Sequence, residues 1–394
     1  GFASGSDRQP RFAPPASPTA AGPRPAFSGC PKDRHVMLDQ HRFAARRERL
    51  RRLMAREGLD ALLVSHPANR YYLSGFELHD GQCNESSGCL IVTRSGRDWL
   101  CTDSRYEEAA AELWERDRVF IYQGSPAEEV RALIKDKAPG VVGFEAKILS
   151  WDYVRRIEPG LDLREADGLV EELRVVKDEE EIARIERSVQ LNHDMLAWLP
   201  SILTVGRDEA DIAWAIEKYY RENGASENSF PPIVAKDAHA ALPHYRPDEP
   251  AVLTPNCHVL VDEGARLGHY CSDQTRTFWI GDKPSERFLD VLETVREAQR
   301  RAIARIRPGV TGREVHQAAV EYFASRGKAE AFTHSLGHGV GLETHEEPRL
   351  SPRSATELLP GMIVTVEPGL YYPGWGGVRW EYMVVVTEDG CRVL

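Results

Sequence analysis

Two strand-like stretches each carry a pair of acidic residues placed symmetrically about a turn, and this pattern limits the possible folds of the 394-residue chain more than any other. HVLVDEGARLGHYCSDQTRTFWIG (258–281) reads as strand, turn and strand, with the turn around Ala265–Gly268 and Asp262 and Asp273 equidistant from its centre. Residues symmetric about a hairpin turn face each other with Cβ atoms about 5 Å apart, and two like charges there are destabilising unless something positive sits between them. TVEPGLYYPGWGGVRWEY (365–382) repeats the device, with Glu367 and Glu381 symmetric about Gly374. Both pairs lie among Val, Tyr, Trp and Phe, which belong in a core. Four inward carboxylates carry about −4, too much for one divalent cation and suited to two. Such two-metal sites hold their ions about 3.5–4 Å apart.

A nitrogen donor would complete the set. THSLGHGVGLETHEEPR (333–349) supplies His334, His338 and His345 among glycines, which let backbone approach a site closely. One histidine there would read as structural, but three within twelve residues, beside two acidic hairpins, read as part of the site. His244, in ALPHYRP (241–247), is a further candidate.

The rest of the chain divides in two. Residues 41–58 predict a basic helix with an apolar stripe at Phe43, Leu50, Leu53 and Met54, stopped by Gly58. Strands are expected at 59–66, 119–124 and 140–145, a hairpin turned by Ser95-Gly96 at 89–102, and helices at 105–117 and 127–136. This alternation predicts an α/β domain with a mixed sheet. After a boundary near 168–178, helices at 178–199, 210–223, 284–306 and 312–326 interleave with strands at 257–265, 270–280, 362–372 and 378–387. That half predicts helices packed on an antiparallel sheet.

Residues 1–36, rich in Pro, Ala, Ser and Gly, cannot bury enough to offset their ordering entropy and are expected to be disordered. A transit peptide is the competing reading, opposed by the prolines. The net charge of −11 argues against a general nucleic-acid binder. No apolar run is long enough for a transmembrane helix. Seven scattered cysteines with no CxxC pair read as free thiols of a reducing compartment, so the expected location is the cytoplasm.

Three motifs together resemble the creatinase/prolidase branch of the pita-bread metallopeptidases. They are D-x-G-A…S-D-x-T-R-T from Asp262 to Thr277, H-S-L-G-H-G-V-G-L-E-x-H-E from His334 to Glu346, and V-E-P-G-x-Y…G-V-R-x-E from Val366 to Glu381. The resemblance implies an α+β chain: a smaller α/β creatinase-type N-terminal domain (37–168) followed by a pita-bread domain with a pseudo-two-fold repeat (169–394). It implies Asp262 on one metal, His338 and Glu367 on the other, and Asp273 and Glu381 bridging. It places His244, His334, His345, Arg349 and Arg379 on the substrate side, and lets Glu367 relay a proton. The implied cofactors are two divalent ions, Mn foremost, with Co, Zn or Fe as alternatives. The implied activity is hydrolysis of the bond preceding proline in Xaa-Pro dipeptides, with Xaa-Pro aminopeptidase action on longer peptides as the alternative. The expected partners are short proline-containing peptides and a second copy in a homodimer, with no nucleic acid and no membrane. Two positions depart from the pattern: Glu263, where an apolar residue is usual, and Tyr382, where Asp or Asn is frequent.

Overall fold

A computed structural model describes residues 32–80, 85–246 and 249–394. The first 31 residues of the expected tail lie outside the described residues, and the first helix, α1 (Lys32–Arg56), begins within its last few positions. The α1 face bearing Phe43, Leu50 and Met54 is buried, and Gly58, at φ +69°, turns the chain out of the helix.

The N-terminal half continues through β1 (Ala61–Val64), α2 (Pro67–Ser74), β2 (Cys89–Thr93), β3 (Trp99–Thr102), α3 (Glu107–Leu113) and β4 (Val119–Ile121). It ends with α4 (Pro126–Lys137), β5 (Val141–Phe144), α5 (Trp151–Ile157), β6 (Asp162–Glu165) and α6 (Leu169–Val175). The six strands form one sheet in the order β4-β3-β2-β1-β5-β6, with β1, β2 and β3 antiparallel and the other pairings parallel. This is the mixed sheet expected. The sequence did not predict α2, whose buried Asn69 and Arg70 interrupt the apolar periodicity that would have revealed it.

The second half opens with α7 (Glu179–Trp198), started by a capping box between Asp178 and Glu181, and α8 (Glu209–Glu222). Strands β7 (Glu227–Asn228), β8 (Ile233–Lys236), β9 (Cys257–Glu263), β10 (Ala265–Leu267), β11 (Tyr270–Cys271) and β12 (Gln274–Ile280) follow. Next come α9 (Glu286–Ile303), α10 (Gly312–Ser325), β13 (Gly337–Gly339), β14 (Glu346–Leu350), β15 (Ile363–Val366), β16 (Gly369–Tyr372), β17 (Gly376–Arg379), β18 (Tyr382–Val386) and β19 (Cys391–Val393). Each helix pair packs on its own hairpin. Met195 of α7 and Ile212 and Ile216 of α8 cluster with Val259 and Val261 of β9. Val295 of α9 and Val315 of α10 cluster with Val364 of β15 and Val384 of β18. The two hairpins then meet edge to edge, with Glu381 N donating to Thr275 O at 3.2 Å and Arg379 N to Thr277 Oγ1 at 3.2 Å. That junction brings the acidic pairs together.

Charges also join the two halves. Arg174 of α6 reaches Glu343 Oε2 at 2.7 Å and also meets Glu346, while His66 Nε2 lies 3.3 Å from Glu343 Oε1. Burial pushes the Glu343 carboxyl up, but His66 and Arg174 outweigh it and hold it at about 2, against an ordinary 4.5. A carboxylate depressed on folding stabilises the fold above its ordinary pKa, and that stability is lost as pH falls toward the folded value. Glu343→Gln should therefore melt below the wild type at about pH 6, and the gap should narrow at about pH 3. A gap in melting temperature that does not change with pH would show that the Glu343 charge contributes nothing to the junction.

Candidate metal centre

The strand registers decide how the carboxylates meet. Val366 pairs with Tyr382 and Gly369 with Arg379, so Glu367 and Glu381 stand opposite each other, as their symmetry about Gly374 predicted. The first hairpin differs from the expectation. Arg266 pairs with Cys271 and Leu267 with Tyr270, so the turn is centred between Gly268 and His269 and the residue opposite Asp262 is Thr275. Asp273 sits two residues before Thr275 and is therefore a diagonal neighbour of Asp262 on the same face.

The carboxylates converge nonetheless. Asp262, Asp273 and Glu381 each offer an oxygen within 4.8 Å of the others. Thr275 Oγ1 lies 2.8 Å from both Asp262 Oδ1 and Glu381 Oε2. His338 Nε2, on β13, lies 3.3 Å from Glu367 Oε1 and 3.6 Å from Asp273 Oδ2. Asp273 thus belongs both to a carboxylate trio and to a group with His338 and Glu367. His338 Nδ1 is 3.0 Å from Gly339 O. A carbonyl only accepts, so Nδ1 carries a proton, and Nε2 is the nitrogen that faces the carboxylates. The glycines around His338 are required by packing: a Cβ at Gly337 would lie 2.0 Å from Thr365 O, and one at Gly339 2.2 Å from Glu347 O.

The electrostatics call for cations. Burial, then the neighbouring carboxylates, pushes Asp273 and Glu381 well above the usual carboxylate range. Burial also raises Asp262, against the pull of Arg379. Burial pushes Glu367 up too, but His338, His334 and Arg379 outweigh it and hold it at about 2. Glu381 Oε1 is buried with no hydrogen-bond partner among the described residues. Leaving such an oxygen bare costs about 1–3 kcal/mol or more. Oxygen-rich donors with one imidazole nitrogen and a bare carboxylate oxygen fit divalent cations.

Arg379, 3% exposed, lines the cavity over the cluster and is also tied to this centre. It donates from Nη2 to Asp262 Oδ2 at 2.6 Å, from Nε to Thr275 Oγ1 at 2.9 Å and from Nη1 to the Tyr371 hydroxyl at 2.9 Å. The roles of Thr275 and Tyr371 had no sequence signal beyond their strand positions. Glu263 is fully buried on the opposite face of β9, paired in register with Gln274, and burial pushes its carboxyl well up, so this departure leaves the cluster untouched. Tyr382 instead stacks under the Arg276 guanidinium at 4.3 Å.

A cavity of about 680 Å³ opens over the cluster. That is within the range of about 300–1,000 Å³ usual for small-molecule sites. His244, His334, His345 and Arg349 line it, with an apolar wall of Phe230, Pro231, Pro232 and Ile233 that the sequence did not single out. The His345 ring lies 4.3 Å from the His338 ring. Burial, His338 and Arg349 push the His345 pKa down to about 4, so it is neutral at neutral pH. His334 has both nitrogens engaged, Nδ1 with Ser335 O at 2.7 Å and Nε2 with the Tyr371 hydroxyl at 2.9 Å, so it offers the cavity mainly a ring face. Arg349 has 47% of its side chain exposed, and its nearest carboxylate, Glu347, is 4.0 Å away.

Known proteins share this architecture. Metallopeptidase family M24 matches residues 183–388, and the creatinase/prolidase N-terminal domain matches residues 46–176. The Xaa-Pro dipeptidase of Pyrococcus furiosus is 33% identical over 352 residues, which cover 89% of this chain and 97% of that protein. The solved Xaa-Pro dipeptidase from Bacillus anthracis superposes with a TM-score of 0.83 at 34% identity, covering 89% of this chain and 97% of its own. The X-Pro aminopeptidase from Thermotoga maritima superposes with a TM-score of 0.76 at 32% identity, covering 85% of this chain and 95% of its own.

Proposed function

Because the chain belongs to metallopeptidase family M24 and carries the creatinase/prolidase N-terminal domain in front, we propose that it hydrolyses the bond preceding proline in Xaa-Pro dipeptides. It is a metal-dependent peptidase. The observation that carries the site assignment is the sharing of Asp273 between the carboxylate trio and the His338–Glu367 pair. Asp262 would hold one divalent ion, His338 and Glu367 the other, with Asp273 and Glu381 between them. This mixed oxygen and nitrogen set suits Mn, Co, Zn or Fe, and Mn is the assignment we favour.

When bound, such an ion pair lowers the pKa of a shared water and polarises the scissile carbonyl. The protein's own groups do the rest. Glu367, ionised and beside the pair, takes the proton of the attacking water at its carboxylate. His345, neutral in the cavity, donates a hydrogen bond to the carbonyl oxygen as it gains charge. His244, at the exposed rim, serves the leaving nitrogen. Tyr371 steadies both Arg379 and His334, and Arg379 keeps Asp262 turned inward. The Phe230–Ile233 wall offers an apolar surface to the side chain of the peptide.

We place the boundary between the two halves within 168–178, with α6 closing the first half, as the match to the creatinase/prolidase N-terminal domain, which runs to residue 176, supports. A cytoplasmic location fits the free state of all five described cysteines, Cys30 and Cys83 lying outside the described residues, and a homodimer is the assembly we favour. No helix among the described residues is long and apolar enough to cross a membrane.

The second reading, an aminopeptidase on longer peptides, is favoured by an open cleft of about 790 Å³ that adjoins the cavity past His244 and Arg246. Arg349 distinguishes the two. A dipeptide ends in a carboxylate directly after the proline ring, and an exposed guanidinium with no closer carboxylate than Glu347 among the described residues suits it. Arg349→Ala should raise KM for an Xaa-Pro dipeptide about 10–100-fold, with far less effect on a tripeptide. Equal losses on both would remove the carboxylate role, and a wild-type preference for tripeptides would move the activity to aminopeptidase.

A further inference from the structure

Among the described residues His345 makes no hydrogen bond with its ring, and its aromatic neighbour is the His338 ring at 4.3 Å. Its position is therefore set by the backbone on either side. That backbone is held from the other half of the molecule. Arg174, at the end of α6 and 3% exposed, puts Nη2 at 2.7 Å from Glu343 Oε2 and within reach of Glu346 Oε1. Its Nη1 donates to Asn69 Oδ1 at 2.7 Å. Asn69 in turn donates to Glu145 Oε1 at 2.7 Å, and Glu145 Oε2 accepts from the Ser65 and His66 amides. Lys177 Nζ lies 3.1 Å from Glu346 Oε2.

The two glutamates bracket Thr344 and His345, and the turn between them is closed internally. Glu343 N donates to Glu346 Oε1 at 3.1 Å, and Gly341 N to Glu343 O at 3.0 Å. A Cβ at Gly341 would lie 2.6 Å from Glu346 Oε2, so the carboxylate packs directly on bare backbone. Two cations, Arg174 and Lys177, balance two carboxylates, but only Arg174 touches both. Without its charge, Glu343 and Glu346 would face each other across the turn, with Lys177 on one and His66 alone on the other.

We propose that Arg174 is a positioning residue for hydrolysis: from the N-terminal half it clamps the 343–346 turn and thereby holds the His345 ring over the metal centre. The proposal rests on the reading of His345 as the group that meets the substrate. It makes the N-terminal half of the chain part of the catalytic apparatus of the same chain.

The test uses the metal-loaded full-length enzyme and an Xaa-Pro dipeptide. Arg174→Met should keep its metal content while kcat falls about 10–100-fold and KM changes less than about threefold, because binding groups other than His345 stay in place. Arg174→Lys should recover part of the loss. In a His345→Ala background Arg174→Met should cost less than about twofold more, since the residue it positions is already gone. A purely structural role would instead give the same loss in both backgrounds, and that result, or a kcat within about twofold of wild type, would overturn the proposal. If Arg174→Met does not fold, Glu343→Gln removes one arm of the clamp while leaving Arg174 paired with Glu346. It should show a smaller loss confined to kcat, with the same non-additivity, and additive losses would overturn the proposal equally. A wild-type enzyme inactive on Xaa-Pro peptides but active on others would refute the substrate reading alone, because the same comparison of kcat can be run on the peptide it does cleave.

Discussion

Replacing Asp273 by asparagine is expected to remove metal and activity together, lowering kcat/KM on the order of a thousandfold or more. Asp273 lies within reach of both the Asp262–Glu381 group and the His338–Glu367 pair, and it is almost fully buried. An asparagine keeps the shape but loses the charge that both halves of the centre need. Metal analysis of the purified variant should find fewer than two ions per chain, against an expected two for the wild type. A variant with its full metal content and near-normal turnover would reduce Asp273 to a structural residue. Stability should move the opposite way once metal is removed. Asp273 is pushed up by burial and then by Glu381, Asp262 and Glu367, so the metal-free fold binds protons that the unfolded chain releases. Stability of the chelated wild type should therefore fall as pH rises above about 4. Chelated Asp273→Asn, relieved of one repelling charge, should melt higher than chelated wild type at neutral pH. The same melting temperature for both would mean that the carboxylates do not repel one another as their burial and spacing require.

The second large effect separates chemistry from metal binding. His345→Ala is expected to lower kcat about 100- to 1,000-fold, the usual loss for one donor aimed at a developing negative charge, with two ions still bound. His345 lies beside His338 without joining the converging oxygen and nitrogen atoms, so truncating it leaves every proposed ligand in place. Measured kcat, KM and metal content on one preparation suffice. Loss of metal along with activity would place His345 among the groups that hold the ions.

On the proposed roles, Asp273, His345 and Arg174 form a gradient from the metals outward: a residue both ions would need, one that would meet the substrate, and one that would hold the second from another part of the chain. The same gradient separates what could be read from the sequence from what could not. Glu367 and Glu381 were legible as an opposed pair because the register on both sides of Gly374 is continuous. Asp262 and Asp273 were legible as partners, but their exact relation was not. Gly268 and His269, at φ +58° and +76°, form a two-residue turn with both central residues left-handed. A histidine at such a position gives little warning of that geometry, and the turn sits one residue later than the pattern suggested.

By itself the sequence determined the two acidic hairpins and the four helices α7–α10 packed on them, and it singled out the acids and histidines of the proposed centre. Each of these is signalled locally, by alternation along a strand, by periodicity along a helix or by residues set symmetrically about a turn. Only the tertiary structure decided that Arg379 would be spent on Asp262, that Tyr371 would occupy His334, and that Arg174 would hold the turn before and after His345. These contacts join residues from 37 to 169 positions apart. A buried guanidinium takes whichever carboxylate the packing brings to it, and nothing in the residues beside it in the chain records which one that will be.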